Sequence, residues 1–124
     1  SSVPLNQRSK LVNVEMTETE MRNILSEICD KCQIDKKISR NLAAFYKASK
    51  SLCKDGQLEN WASIRIFARV LKLSSLSTDK EVAVVTRLRE EYMQFVDTDS
   101  DGEPIREQIE SFNSAVDRAF KISK

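Results

Sequence analysis

The sequence predicts an all-α fold, a compact five-helix domain with a short extended arm on its N-terminal side. Two observations predict it. Breakers are scarce: the 124 residues hold only two glycines, Gly56 and Gly102, and two prolines, Pro4 and Pro104. Gly56, Gly102 and Pro104 all fall between periodic segments, where helices end. Within the long stretches, apolar residues recur at the spacing that puts them on one face of a helix. The length suits one domain with a single core, residues 10–124, behind a flexible lead at residues 1–9.

Ser1 to Ser9 is polar, contains Pro4 and lacks periodicity. Lys10 to Met16 alternates, with Val12, Val14 and Met16 apolar and Asn13 and Glu15 polar, as in a half-buried strand. No second strand offers it a partner, so it packs as an arm or pairs with another chain. Thr17-Glu18-Thr19-Glu20 is a capping box. It starts a helix to about Gln33 that turns Met21, Ile24, Leu25 and Ile28 inward. Asp35 caps the next helix, which ends before Gly56 and buries Ile38, Leu42, Phe45 and Leu52. The central helix runs from Trp61 to Leu73, with Asn60 as its cap and Ile64, Phe67, Ala68 and Leu71 on its core face. Thr78-Asp79-Lys80-Glu81 is a second capping box. Its helix reaches about Val96 and buries Val85, Leu88, Tyr92 and Phe95. Asp97 to Glu103 is an acidic loop. Pro104 then fits the first position of a last helix, with Ile105, Ile109, Phe112, Val116 and Phe120 facing the core.

Several function classes drop out. The net charge of +1 gives no global attraction to nucleic acid or membrane. No apolar run approaches the ~20 residues of a membrane span, and the polar first residues carry no signal-peptide pattern. Three cysteines cannot all pair, so an intracellular, reducing compartment is expected, nuclear or cytoplasmic. The absence of histidine excludes Ser-His-Asp and Cys-His catalysis, and there is no glycine-rich phosphate loop. No enzyme activity, metal or cofactor is expected. Cys29 and Cys32 form a C-x-x-C that only Cys53 could join, short of the about four ligands of a structural zinc site, so these thiols read as small core residues. Asp97, Asp99, Asp101 and Gly102 match the opening of an EF-hand loop, but Gln108 holds the place of the bidentate glutamate. Thr98 and Ser100, each followed closely by acids, are candidate phosphorylation sites.

What remains is a basic surface. Between Lys36 and Lys54 stand Lys36, Lys37, Arg40, Lys47, Lys50 and Lys54 and no acid. Lys36, Arg40, Lys47 and Lys54 share one stripe, with Lys50 beside it. Arg65, Arg69 and Lys72 form a second stripe on the central helix. A short turn should set the two helices side by side. Such a face suits another protein, met through an acidic segment, or nucleic acid. An acidic first helix or loop folded against it would instead neutralise it internally.

Two segments resemble a known family. Arg8 to Leu25, an arginine, a short strand and a capped helix, resembles the end of the core subdomain of AAA+ ATPases and the start of their lid. Ser63 to Leu71, S-I-R-I-F-A-R-V-L, resembles the sensor-2 helix of midasin-like lids. The resemblance covers about residues 8–96 and implies a lid subdomain in which Arg65 reaches a nucleotide γ-phosphate. The chain has no Walker A, Walker B or sensor-1 region, so it implies no hydrolysis by these residues alone. A weaker likeness, in helix order, is to the cyclin-type five-helix repeat of general transcription factors.

Overall fold

The computed structural model describes residues 15–122. Among them are five α-helices: α1 (Glu18–Cys32), α2 (Lys37–Lys54), α3 (Ile64–Ser74), α4 (Lys80–Glu90) and α5 (Arg106–Ala119), with a 3-10 turn at Tyr92–Gln94. The only β feature among the described residues is an isolated bridge between Thr98 and Pro104. The flexible lead at residues 1–9, and the arm before Glu15, lie outside the described residues.

Local chemistry fixes the helix ends. The Thr17 hydroxyl accepts from the Glu20 amide at 3.1 Å, and the Glu20 carboxylate accepts from the Thr17 amide at 3.0 Å. The bond from the Thr17 amide is the main reason that the Glu20 carboxyl titrates below its ordinary value. Gln33, left-handed at φ 57°, closes α1. The N-cap of α2 is Lys36, which makes no side-chain cap bond; Asp35, the expected cap, stands one residue earlier and its carboxylate accepts from the Lys37 amide at 2.9 Å.

Four expectations shift. α3 starts at Ile64, capped by the Ser63 hydroxyl, because Asn60 is held elsewhere, its side chain donating to the Gln94 carbonyl. α4 is capped by Asp79, not by a Thr78–Glu81 box, since Glu81 is drawn to Lys37. α4 also stops at Glu90, well before Val96. The chain passes through the 3-10 turn at Tyr92–Gln94 before Phe95 and Val96, both buried. Pro104 pairs with Thr98 across the acidic loop and does not open α5, which begins at Arg106.

The core is built around Phe45 of α2. Its ring meets Phe67, Phe95 and Phe112 edge-on, at centroid separations of 6.2, 5.5 and 5.7 Å. All four rings are fully buried. Met21, Leu25 and Cys29 of α1 join them, together with Val70 and Leu71 of α3. The core face of α3 is therefore Phe67, Val70, Leu71 and Ser74, with Ile64 and Ala68 only half-buried. On α1, Ile24 remains 37% exposed, while Ile28 is half-buried. α1 packs against α2 and α3, α2 also against α5, and α4 against α3 and α5.

Candidate functional site

Two elements carry the basic residues, and they do not lie side by side. The connection from Lys54 to Ile64 is an anchored loop, not a short turn. Leu58 and Ala62 are buried, the Glu59 amide donates to the Phe95 carbonyl at 2.8 Å, and the Ala62 amide donates to the Ser49 hydroxyl at 3.1 Å. This loop carries α3 to a place against α1 and α4, so α2 and α3 meet chiefly through core rings such as Phe45 and Phe67. The expected adjacency of the two basic helices is thus corrected.

Five of the nine basic side chains are ion-paired within the fold. Lys36 meets Asp30 at 3.3 Å, Lys37 meets Glu81 at 2.9 Å, and Lys47 meets Glu18 at 3.8 Å. The Lys37 pair lifts the ammonium above the ordinary lysine value. Arg69 donates through Nε to Glu91 at 2.7 Å, with a second bond from Nη2 to the same oxygen.

Lys50 is the most enclosed of the nine. Its ammonium pairs with Glu15 at 2.8 Å, approaches the Met16 carbonyl at 3.4 Å and lies 5.1 Å from the centre of the Tyr46 ring. Partial burial opposes its charge, but Glu15 and Tyr46 outweigh that and raise its pKa. Tyr46 completes the arrangement. Its hydroxyl accepts from the Met16 amide at 2.8 Å and donates to the Met16 carbonyl at 2.7 Å. Sequence periodicity places Tyr46 beside the core but gives no sign that its hydroxyl holds the entry to α1.

The remaining four, Arg40, Lys54, Arg65 and Lys72, are exposed and make no ion pair or hydrogen bond among the described residues. Arg40 and Lys54 lie on the solvent side of α2; Arg65 and Lys72 lie opposite the Phe67–Leu71 face of α3. Acids from three places neutralise this surface in part: Glu18 and Asp30 of α1, Glu15 before it and Glu81 of α4; the cations without an ion pair fall in two separate places.

The acidic loop is a closed turn. The Asp99 carboxylate accepts from the Asp101 and Glu103 amides at 2.9 and 3.0 Å, and Gly102 adopts φ 79°. The Gln108 side chain accepts from the Asp97 amide at 2.6 Å. Thr98 and Ser100 are both exposed on this loop. Among the described residues no group of three or more Cys, Asp or Glu is placed to hold a metal ion. Burial pushes the Cys29 thiol up to about 11. No described helix is long and apolar enough to cross a membrane.

Against protein-family models, curated proteins and solved structures alike, the chain finds no match.

Proposed function

We propose that this domain is a non-catalytic helical interaction module that presents cations to a phosphate-bearing partner, and that it acts as the lid subdomain of an AAA+ ATPase. The observation that supports this best is Arg65. It stands in the first turn of α3, exposed and without a partner among the described residues. The start of a helix carries about half a positive charge, which disfavours a cation there by ~0.3–1 kcal/mol. No acid in that turn offsets it. With the Ile66 amide held by the Ser63 hydroxyl, a phosphate would meet the guanidinium and the Ile64 and Arg65 amides. In the sensor-2 helix that Ser63 to Leu71 resembles, the arginine in this place reaches the nucleotide. A core contributed from outside these residues would hold that nucleotide.

The test is made in the native assembly that contains these residues, with ATP as the probe. Arg65→Ala should lower ATP turnover about tenfold or more, and Arg65→Lys should restore part of it, since charge returns without the planar fork. The urea midpoint should not fall in Arg65→Ala, and should rise slightly as the cation leaves the helix N-terminus. Unchanged turnover in Arg65→Ala, or an assembly that turns over no nucleotide, refutes the lid reading. Binding of an acidic peptide or nucleic acid that is lost on changing Arg40 and Lys54 to Glu would place recognition on α2 instead.

A further inference from the structure

A concave feature lies between the end of α2 with the start of the α2–α3 loop and α5. It is a groove of about 520 Å³ with Leu52 and Ile105, both half-buried, among the residues that line it. Its α5 wall includes Glu107, Glu110, Ser114 and Arg118, which follow one another at i, i+3, i+7 and i+11 along one face of the helix. The groove is electrically polar: acids stand at the α5 N-terminal end and a guanidinium at the other. None of these three charged groups makes an ion pair among the described residues, in contrast to the cations of α2. From Glu107 to Arg118 the helix rises about 16 Å, the length of about five residues of extended chain.

We propose that this groove docks a short extended segment of a partner protein, with a lysine or arginine over Glu107 and Glu110 and a carboxylate over Arg118. Length and charge polarity select the occupant. A small anion or cation would use one end only, and a uniformly basic segment would meet Arg118 as a like charge. Leu52 and Ile105, the two apolar residues of the lining, take the small or aliphatic side chains between. The site is separate from Arg65 and stands or falls independently of the lid reading.

The probe is an acetylated, amidated peptide with lysine at one end, glutamate at the other and four alanines between, titrated into the isotopically labelled chain. Saturable shifts of the Ser111 and Ser114 amides at millimolar peptide are expected. The double variant E107Q/E110Q should weaken binding about fivefold or more, and added salt should weaken it too. Changing Arg118→Glu should shift preference to a peptide with lysine at both ends, a gain that mere loss of structure would not produce. All three residues line an open groove, so the variants should stay folded, with the urea midpoint lowered only slightly because Glu107 and Arg118 stand in the first and last turns of α5. Absence of saturation, equal binding of a peptide with glutamate at both ends, or unchanged affinity in E107Q/E110Q overturns the proposal. So would concentration-dependent self-association abolished by E107Q/E110Q, because the occupant would then be a second copy of the chain.

Discussion

Phe45→Ala probes the organisation of the core more directly than any other change. Burying a phenylalanine and then truncating it typically costs about 3–5 kcal/mol, from lost transfer energy plus the cavity left behind. Phe45 has an added term, because its ring meets three others while Phe67 is edge-on to Phe45 alone among the aromatic pairs. Each such contact contributes about 0.5–1.5 kcal/mol beyond area burial. Phe45→Ala should therefore lie at the top of the range and Phe67→Ala towards its lower half, a difference of about 1–2 kcal/mol. A small domain has about 5–15 kcal/mol of stability in total, so the variant stays folded in buffer only if the parent is well above the lower figure. With a urea slope of about 1–3 kcal/mol per molar, the midpoint should fall by about 2 M. The assay is a urea titration followed by far-UV circular dichroism and by the emission of Trp61, the single tryptophan, half-buried against the core. Phe45→Leu, which returns most of the volume, should recover most of the loss. A cost below about 1 kcal/mol for Phe45→Ala, or a larger cost for Phe67→Ala, would mean that the ring cluster is not the centre of the fold.

Further outcomes are checked as readily. Arg89 donates to Asn113 at 2.8 Å and pairs with Asp117, whose side chain is only 15% exposed; Arg89→Ala should cost about 1–3 kcal/mol by equilibrium unfolding, because it strands that carboxylate. The Glu15 carboxyl is held down by Lys50 and that of Glu20 by the Thr17 amide. A folded value below the unfolded one stabilises fully above the unfolded pKa of about 4.3, so the urea midpoint should drop as pH falls through and below that value, and less steeply in Glu20→Gln. Calorimetry should detect no calcium binding tighter than roughly 10⁻⁵ M, since Gln108 is spent on the Asp97 amide and cannot supply a bidentate carboxylate. Iodoacetamide at neutral pH should spare Cys29, which is fully buried with its thiol pushed up to about 11, and should label it once urea unfolds the chain.

Legibility in the sequence followed the range of the interaction. The Thr17 capping box lies within four residues and forms as read. The centres of the inward faces of α2 and α5 follow from periodicity: Ile38, Leu42, Phe45, Phe112 and Val116 are all buried, while Leu52, Ile105, Ile109 and Phe120 are half-buried. The cap of α4 was a choice between adjacent residues. Asp79 has a carboxylate that reaches the Val82 amide, and Glu81, which a Thr78 box would have needed, is spent on a tertiary partner. The charge state of the basic surface was illegible for the same reason. A run of cations along one helix does not say which acids its neighbour brings alongside, and it is the docking of α1 that sets Glu18 opposite Lys47. The anchored loop after Gly56 is not legible locally, because it is fixed by the Phe95 carbonyl, far ahead in sequence, and by the Ser49 hydroxyl of the preceding helix. Arg65 was singled out on pattern alone, and its lack of a described partner is visible only in three dimensions.

The ring cluster also bears on how the chain reaches this state. Helical domains usually fold fast because most contacts join residues close in sequence. Here Phe45, Phe67, Phe95 and Phe112 come from four separate segments, and the 5.7 Å pair of Phe45 and Phe112 closes a long stretch of chain. No two consecutive helices can complete that cluster by themselves. Early helix pairs such as α1 with α2 would keep an aromatic face open to water until α5 arrives. Closure of that loop, rather than helix formation, should limit the folding rate, and the last helix should be the element whose truncation most exposes the chain to aggregation.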